Sequence, residues 1–274
     1  MAAHRLVVAV LVLLGSGSAY SQSPPAELSF EVVSIKRNVS ADTDGYARIE
    51  PGSRFVAVNV PTMMIVRQAY GLPAFQIGDA PEWLSGERYD ILAKAPDGVE
   101  TFPNMATLLR SLLRDRFGFQ GHTERRDMAT YDLVVARPDR RLGPGLHQAS
   151  LDCGARTTGA VPPPGPSGEE QCGITGGPGR ITVRGYSMQR IAGTLASSLQ
   201  RVVVDKTGLT GPWNLEIRFT PDQPSVLNGA VVTPSPDAPS LFTAVQEQLG
   251  LKLEPSRGPV DMLVIDRVAR PTTD

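Results

Sequence analysis

Three residues stand in contexts that could support chemistry. His122-Thr123-Glu124-Arg125-Arg126-Asp127 gathers one titratable ring with charges of both signs. A ring of this kind becomes a general base when a neighbouring acid orients it, and Glu124 could do so only by chance of the fold; the same residues read more simply as a solvated hairpin with surface ion pairs. Val204-Asp205-Lys206-Thr207-Gly208-Leu209-Thr210 places an aspartate directly after a β-branched run. Such an aspartate can attack a phosphoryl group, but only with Mg²⁺ ligands and a nucleotide site, and the sequence offers neither. The same string reads as a strand running into a turn, with Gly208 left-handed and Asp205 bonding local amides. Tyr186, at the end of another apolar run, is the third candidate.

Other signatures are missing. There is no His-Glu-x-x-His and no Gly-x-x-x-x-Gly-Lys-Ser/Thr. No serine precedes any of Lys36, Lys94, Lys206 or Lys252 by three positions, so a penicillin-recognising serine site is absent. Of the three histidines, His4 and His147 are far from His122 in sequence, and with two cysteines they make no zinc ligand set. Trp83, Trp213, Tyr70 and Tyr186 read as core or rim positions rather than a stacking platform. The sequence therefore nominates no catalytic, cofactor-binding or metal-binding set, and leaves His122, Asp205 and Tyr186 as candidates for a site between two halves of the chain.

Compartment follows from the first residues. Met1 to Arg5 is a short positive start, Leu6 to Leu14 is unbroken apolar sequence, and Gly15 to Ser21 supplies small residues for cleavage after Ala19 or Ser21. The apolar run is shorter than the roughly 20 residues a membrane span requires, and no later run is longer. Residues 1–21 are thus expected to be a signal peptide, and the remainder an exported protein, periplasmic or extracellular. A formal charge of −1 gives no reason to expect nucleic acid as a partner. An oxidising compartment favours pairing Cys153 with Cys172. Such a bridge would restrict the unfolded chain by roughly 3 kcal/mol in the loop-entropy account.

The elements that must position any site are α+β in class. Phe30 to Lys36, Arg54 to Val60 and Tyr89 to Ala95 read as strands. Pro61 stands at the start of a helix that Gly71 stops. Asn104 is placed to cap a helix through Phe117, with Met105, Leu108, Leu109, Leu112 and Leu113 on one face. Phe119 to Thr123 and Thr130 to Ala136 are expected to close as a hairpin, turning at Glu124 to Asp127. Residues 139–179 contain Pro162 to Gly168 and Gly176 to Gly179, and read as a Pro/Gly-rich linker outside any element. Arg180 to Pro271 then follows as strand, helix, two strands, helix and two strands, the last two being Leu251 to Glu254 and Met262 to Asp266. The whole reads as two related β-α-β-β-α-β units, 28–138 and 180–271. Phe55, Ala57 and Ile65 correspond to Ile181, Val183 and Ile191 at a constant offset of 126, and Val135-Ala136-Arg137-Pro138 matches Val268-Ala269-Arg270-Pro271. An internal duplication is the expectation.

Phe30-Glu31-Val32-Val33-Ser34-Ile35-Lys36, Ala69-Tyr70-Gly71, Pro81-Glu82-Trp83-Leu84, Leu112 to Phe117 and Val204 to Gly211 occur in one order over residues 28–271. In this combination the chain resembles the paralogous, exported "soil-associated" family of acidobacteria, a domain of unknown function. The family usually has proline after the position of Lys36, where this chain has Arg37. The resemblance implies export, and in some members attachment to sensor-like membrane metallopeptidases, and it supplies no catalytic residue. The repeat unit with its Val-Asp-Lys-Thr-Gly-Leu turn is also similar to the short N-terminal modules of secretins and TonB-dependent receptors, which bind proteins or peptides. The functional expectation is a non-catalytic binding or sensor module of the cell envelope, with an envelope protein or peptide as partner and no cofactor. An envelope hydrolase is the alternative.

Overall fold

Alternation of apolar and polar residues builds the strands, and left-handed residues end the four longer helices. Along Arg54–Val58 the residues Phe55 and Ala57 are buried while their neighbours are not, so one face is committed to a core, and Asn59 and Val60 are both buried where the strand bulges. The helix that follows, Thr62–Tyr70, stops at Gly71 with φ 66°. Ser187 caps the helix Met188–Leu199 by accepting the Arg190 N–H at 3.4 Å. Ser240 caps Leu241–Leu249 by accepting the Thr243 N–H at 3.2 Å.

A computed structural model describes residues 28–42, 44–99, 101–154, 172–177, 179–221, 225–227, 230–232 and 238–273. The expected signal peptide lies outside them. The first half runs β1 (Val32–Asn38), β2 (Tyr46–Glu50), β3 (Arg54–Pro61), α1 (Thr62–Tyr70), β4 (Ile77–Gly78), α2 (Trp83–Gly86), β5 (Arg88–Lys94), α3 (Thr101–Phe117) and β6 (Gln120–Val135). The second runs β7 (Leu146–Gln148), β8 (Gly173–Gly177), β9 (Arg180–Tyr186), α4 (Met188–Leu199), β10 (Val203–Asp205) and β11 (Trp213–Arg218). A small hairpin of β12 (Ser225–Leu227) and β13 (Ala230–Val232) precedes α5 (Leu241–Leu249) and β14 (Leu251–Arg267). The class is α+β.

The two halves have one topology. The first sheet is ordered β1-β5-β3-β2 and the third β7-β11-β9-β8, so each strand has a counterpart in the same place. The remaining sheet, β10-β6-β14-β4, is shared, and exchanging the halves only reverses its order. Its centre is an antiparallel ribbon in which β6 pairs with β14 from Val135↔Leu251 to Gln120↔Arg267. Each of these strands starts in its own half and ends in the other. Leu263 and Ile265 of β14 belong to the first-half core with Phe55, Ile65, Leu109 and Phe117. Leu133 of β6 is fully buried among Val183, Ile191, Leu215 and Leu251 of the second. At about 1.5–3 kcal/mol for each fully buried large apolar side chain, the exchanged strand ends tie the halves together strongly.

Two prolines lie inside this ribbon, Pro255 opposite Tyr131 and Pro259 opposite Asp127. Tyr131 sends its N–H away from β14, to the Val202 carbonyl at 2.9 Å. Tyr131–Pro255 is therefore a non-hydrogen-bonded pair, and so is Asp127–Pro259 four residues on, because the pattern alternates. The prolines remove no ladder bond, and they strip N–H donors from the outer edge of β14.

Several expectations need correction. Glu124 to Asp127 is not a turn: β6 is one strand of 16 residues, kept extended because β14 pairs with it throughout. Likewise Leu251 to Glu254 and Met262 to Asp266 are parts of one 17-residue strand. The stretch 139–179 is not wholly a linker, since β7 and β8 within it are the two edge strands of the second half's own sheet. Gly176 and Gly177 lie in β8, where edge position makes glycine tolerable. The helix α3 starts at Thr101, so Asn104 is inside its first turn rather than at its cap. The expected bridge Cys153–Cys172 is formed. Cys153 is buried, and its N–H donates to the Gly185 carbonyl at 2.7 Å.

Candidate functional site

His122 lies near the start of β6, opposite Val264, and Nδ1 sits 2.9 Å from Asp266 Oδ1. The orienting acid is thus Asp266, not Glu124, which is held by Arg126 at 2.7 Å. Asp266 stands at an irregularity in the ribbon between Ile265 and Arg267, which turns its carboxylate toward the neighbouring strand's ring. The pair is about half exposed, 55% and 47% for the two side chains, so solvent screens it.

Asp205 is used locally. Its Oδ1 accepts the Thr207 N–H at 2.9 Å and the Thr207 hydroxyl at 2.7 Å, and that hydroxyl accepts the Leu209 N–H at 3.1 Å. Gly208 follows with φ 66°, and Arg140 Nη2 donates to the Thr207 carbonyl at 3.0 Å. This is the turn the residue types imply. Tyr186 pairs with Trp213 across β9 and β11 and packs on the second core.

The three candidates do not converge. Asp205 pairs with Leu133, which is eleven positions along β6 from His122. At the usual rise per residue that is about 36 Å. Tyr186 belongs to another sheet altogether. Among the described residues no group of three or more His, Cys, Asp or Glu side chains could hold a metal ion. No helix among them is long and apolar enough to cross a membrane.

A tighter electrostatic cluster surrounds Glu87. Arg270 places Nη2 at 2.6 Å and Nε at 2.9 Å from Glu87 Oε1, and the Tyr89 hydroxyl donates to Oε2 at 2.9 Å. The Arg270 hydrogen bonds hold the Glu87 carboxyl below its usual range. Burial, helped by Glu87, pushes the Tyr89 hydroxyl up to about 12. Arg270 also lies over the Trp83 ring at 5.3 Å. The cluster fastens the chain just beyond β14 to the first half.

Among the described residues, one space that could hold a ligand is a cleft of about 710 Å³ between α1 and α4. Its walls are the solvent faces of these two helices: Met64, Arg67, Gln68 and Gly71 on one side, Arg190, Gly193, Thr194 and Ser197 on the other. Both sets follow i, i+3, i+4, i+7 spacing, and each position in the first is 126 residues before one in the second. Gln76 and Val202, also 126 apart, extend the lining, with Leu72, Ile174 and Val203 adding apolar surface. The cleft therefore straddles the relation between the halves. Among the described residues no acidic side chain lines it. Among the described residues neither Arg67 nor Arg190 has an acidic partner, whereas Arg180, Arg257 and Arg270 pair with Glu216, Asp127 and Glu87.

None of these cleft residues stood out in the sequence. The signal was the offset of 126, visible at the buried Ile65 and Ile191 and equally present at the less buried positions one residue before them and two and three after.

Residues 63–268 match the family described as "Protein of unknown function (DUF3738)", and the chain belongs to that family. No curated protein and no solved structure matches significantly.

Proposed function

We propose that this member of the DUF3738 family is an exported, non-catalytic binding module of the cell envelope, with its ligand site in the cleft between α1 and α4. The observation that carries the reading is the cleft itself: about 710 Å³, within the range of small-ligand sites, and lined by matched faces of two counterpart helices. Dispersal of His122, Asp205 and Tyr186 supports binding over catalysis. The Cys153–Cys172 bridge and the leader-like residues 1–21 support export. The shared topology and the constant offset support an internal duplication, in which each half lends its last strand to the other.

Gly193 provides the test. A Cβ built there meets nothing within 4 Å, so a large side chain enters the cleft without disturbing the fold. A library of envelope-derived small molecules and peptides should raise the melting temperature of the wild-type protein through specific hits, and Gly193→Trp should abolish those shifts. Hits that persist in Gly193→Trp would place binding elsewhere.

A second reading, an envelope hydrolase, rests on the His122–Asp266 pair, since a carboxylate-oriented imidazole is the core of many acid–base sites. Turnover of ester, glycoside or peptide substrates that disappears in both His122→Ala and Asp266→Asn would establish it.

A further inference from the structure

We infer that the cleft between α1 and α4 takes an amphiphilic organic anion, bound through a carboxylate held by Arg67 and Arg190. The inference rests on the cleft being the binding site, and adds the class of its ligand.

Charge is the first argument. The protein carries a formal charge of −1, and many of its surface arginines are neutralised by a neighbouring acid, as Arg48 is by Glu50 and Arg125 by Asp261. The cleft departs from this pattern. Among the described residues it contains two guanidinium groups without acidic partners, and its lining has no carboxylate. A concave surface of one sign draws and concentrates ligands of the other. Guanidinium suits a planar carboxylate, offering paired N–H donors in a fixed fork.

Asymmetry is the second. The halves match in topology, but the matched cleft positions carry different residues, and at two of them the charge differs: Met64 answers Arg190, and Gly193 answers Arg67. A symmetric occupant, such as a second copy docked about the same axis, would call for like residues at both. Here each helix contributes one cation, and beside them lie Met64, Leu72, Ile174 and Val202. Met64 is 36% exposed, leaving apolar surface for a hydrocarbon part. Gln68, exposed one turn after Met64, supplies a polar edge for an amide or hydroxyl.

The experiment uses the full mature protein and three probes in isothermal titration: an N-acetylated Ala-Leu-Val tripeptide acid, its C-terminal amide, and octanoate. Binding of at least one acid is expected. Loss of the carboxylate by amidation, or of one guanidinium in Arg67→Gln or Arg190→Gln, should weaken it about tenfold to a hundredfold. Arg67→Lys and Arg190→Lys should retain part of the affinity, while melting temperatures stay unchanged. Preference for the tripeptide acid over octanoate would assign the carboxylate to a peptide terminus, and the reverse to an acyl chain. Equal binding of acid and amide, or indifference to both Arg→Gln changes, overturns the anion. If that binding still disappears in Gly193→Trp, the cleft survives as the site. Failure of every probe to bind at millimolar concentration overturns the proposal, while library hits lost in Gly193→Trp would still uphold the binding reading.

Discussion

The side-chain oxygen of Asn214 accepts the backbone N–H of Gly185 at 2.9 Å, across a bulge where β9 passes into α4. The first half repeats the arrangement: Asp90 accepts the N–H of Asn59 at 2.8 Å, at the corresponding bulge between β3 and β5. Gly185 and Asn59 both have positive φ, 72° and 54°. A strand that bulges leaves one N–H without a ladder partner, and the neighbouring strand supplies a side-chain acceptor for it. Both bulges immediately precede the helices that wall the cleft, so they set where α1 and α4 begin.

Removing that acceptor should destabilise the fold. Asn214→Ala leaves the buried Gly185 N–H unsatisfied, at a cost of about 1–3 kcal/mol, and Asp90→Ala should act similarly in the first half. Chemical denaturation checks both. Asn214→Asp keeps an acceptor and should recover most of the loss.

Gly185→Ala should be worse than either. A Cβ there would overlap Cys153 Sγ and the Leu151 carbonyl, and the backbone is left-handed. We predict a loss above about 3 kcal/mol, or no folded protein. Asn59→Gly tolerates the backbone but loses the amide that donates to the carbonyls of Asp42 and Asp44 at 2.8 Å each. It should cost about 1–2 kcal/mol.

Glu87 makes stability pH-dependent, and the sign is fixed. Its folded carboxyl titrates below the unfolded one because Arg270 holds the ionised form. Its contribution is present above the unfolded value of about 4.3 and is lost as pH falls through the folded value. Arg270→Gln should therefore flatten the acid limb of the stability profile below about pH 4.3, with little change in its shape from pH 6 to 8. Tyr89 acts at the other end: raised to about 12, it contributes below about pH 10 and loses that contribution between the two values. Tyr89→Phe should remove that alkaline decline, as followed by circular dichroism.

Exchange of β6 and β14 predicts that the halves hold together without a covalent link. A protease site inserted between Pro164 and Gly165, cut in the presence of reductant to open the Cys153–Cys172 bridge, should leave two pieces that co-elute in size exclusion. Each half buries the other's strand, so neither piece alone should give a cooperative unfolding transition. Separation into two independently folded pieces would contradict the exchange.

Much of the local structure was legible in the residues. Pro61 and Gly71 bound α1, Gly118 and Gly250 end α3 and α5, and the apolar stripe of α3 lies buried as its spacing required. The ribbon was not legible, for a physical reason. Glu124 to Asp127 is charged and largely exposed because a two-stranded ribbon bridging two cores has no core of its own there, and such a stretch has the composition of a turn. Pro255 and Pro259 pointed the same way, since only knowledge of which pairs lack hydrogen bonds makes proline acceptable within a strand. The cleft was hidden because its residues are exposed helix positions, where apolar periodicity says nothing. The offset of 126 joins them, but a match such as Gln68 with Thr194 carries no weight until both are known to face one space.

The most direct test of the account is a backbone-amide NMR titration of the isotopically labelled protein with the Ala-Leu-Val tripeptide acid. Saturable shifts confined to residues 64–76 and 190–203, and absent in Gly193→Trp, are the predicted result. Shifts centred on His122 and Asp266, with the cleft silent, would contradict it.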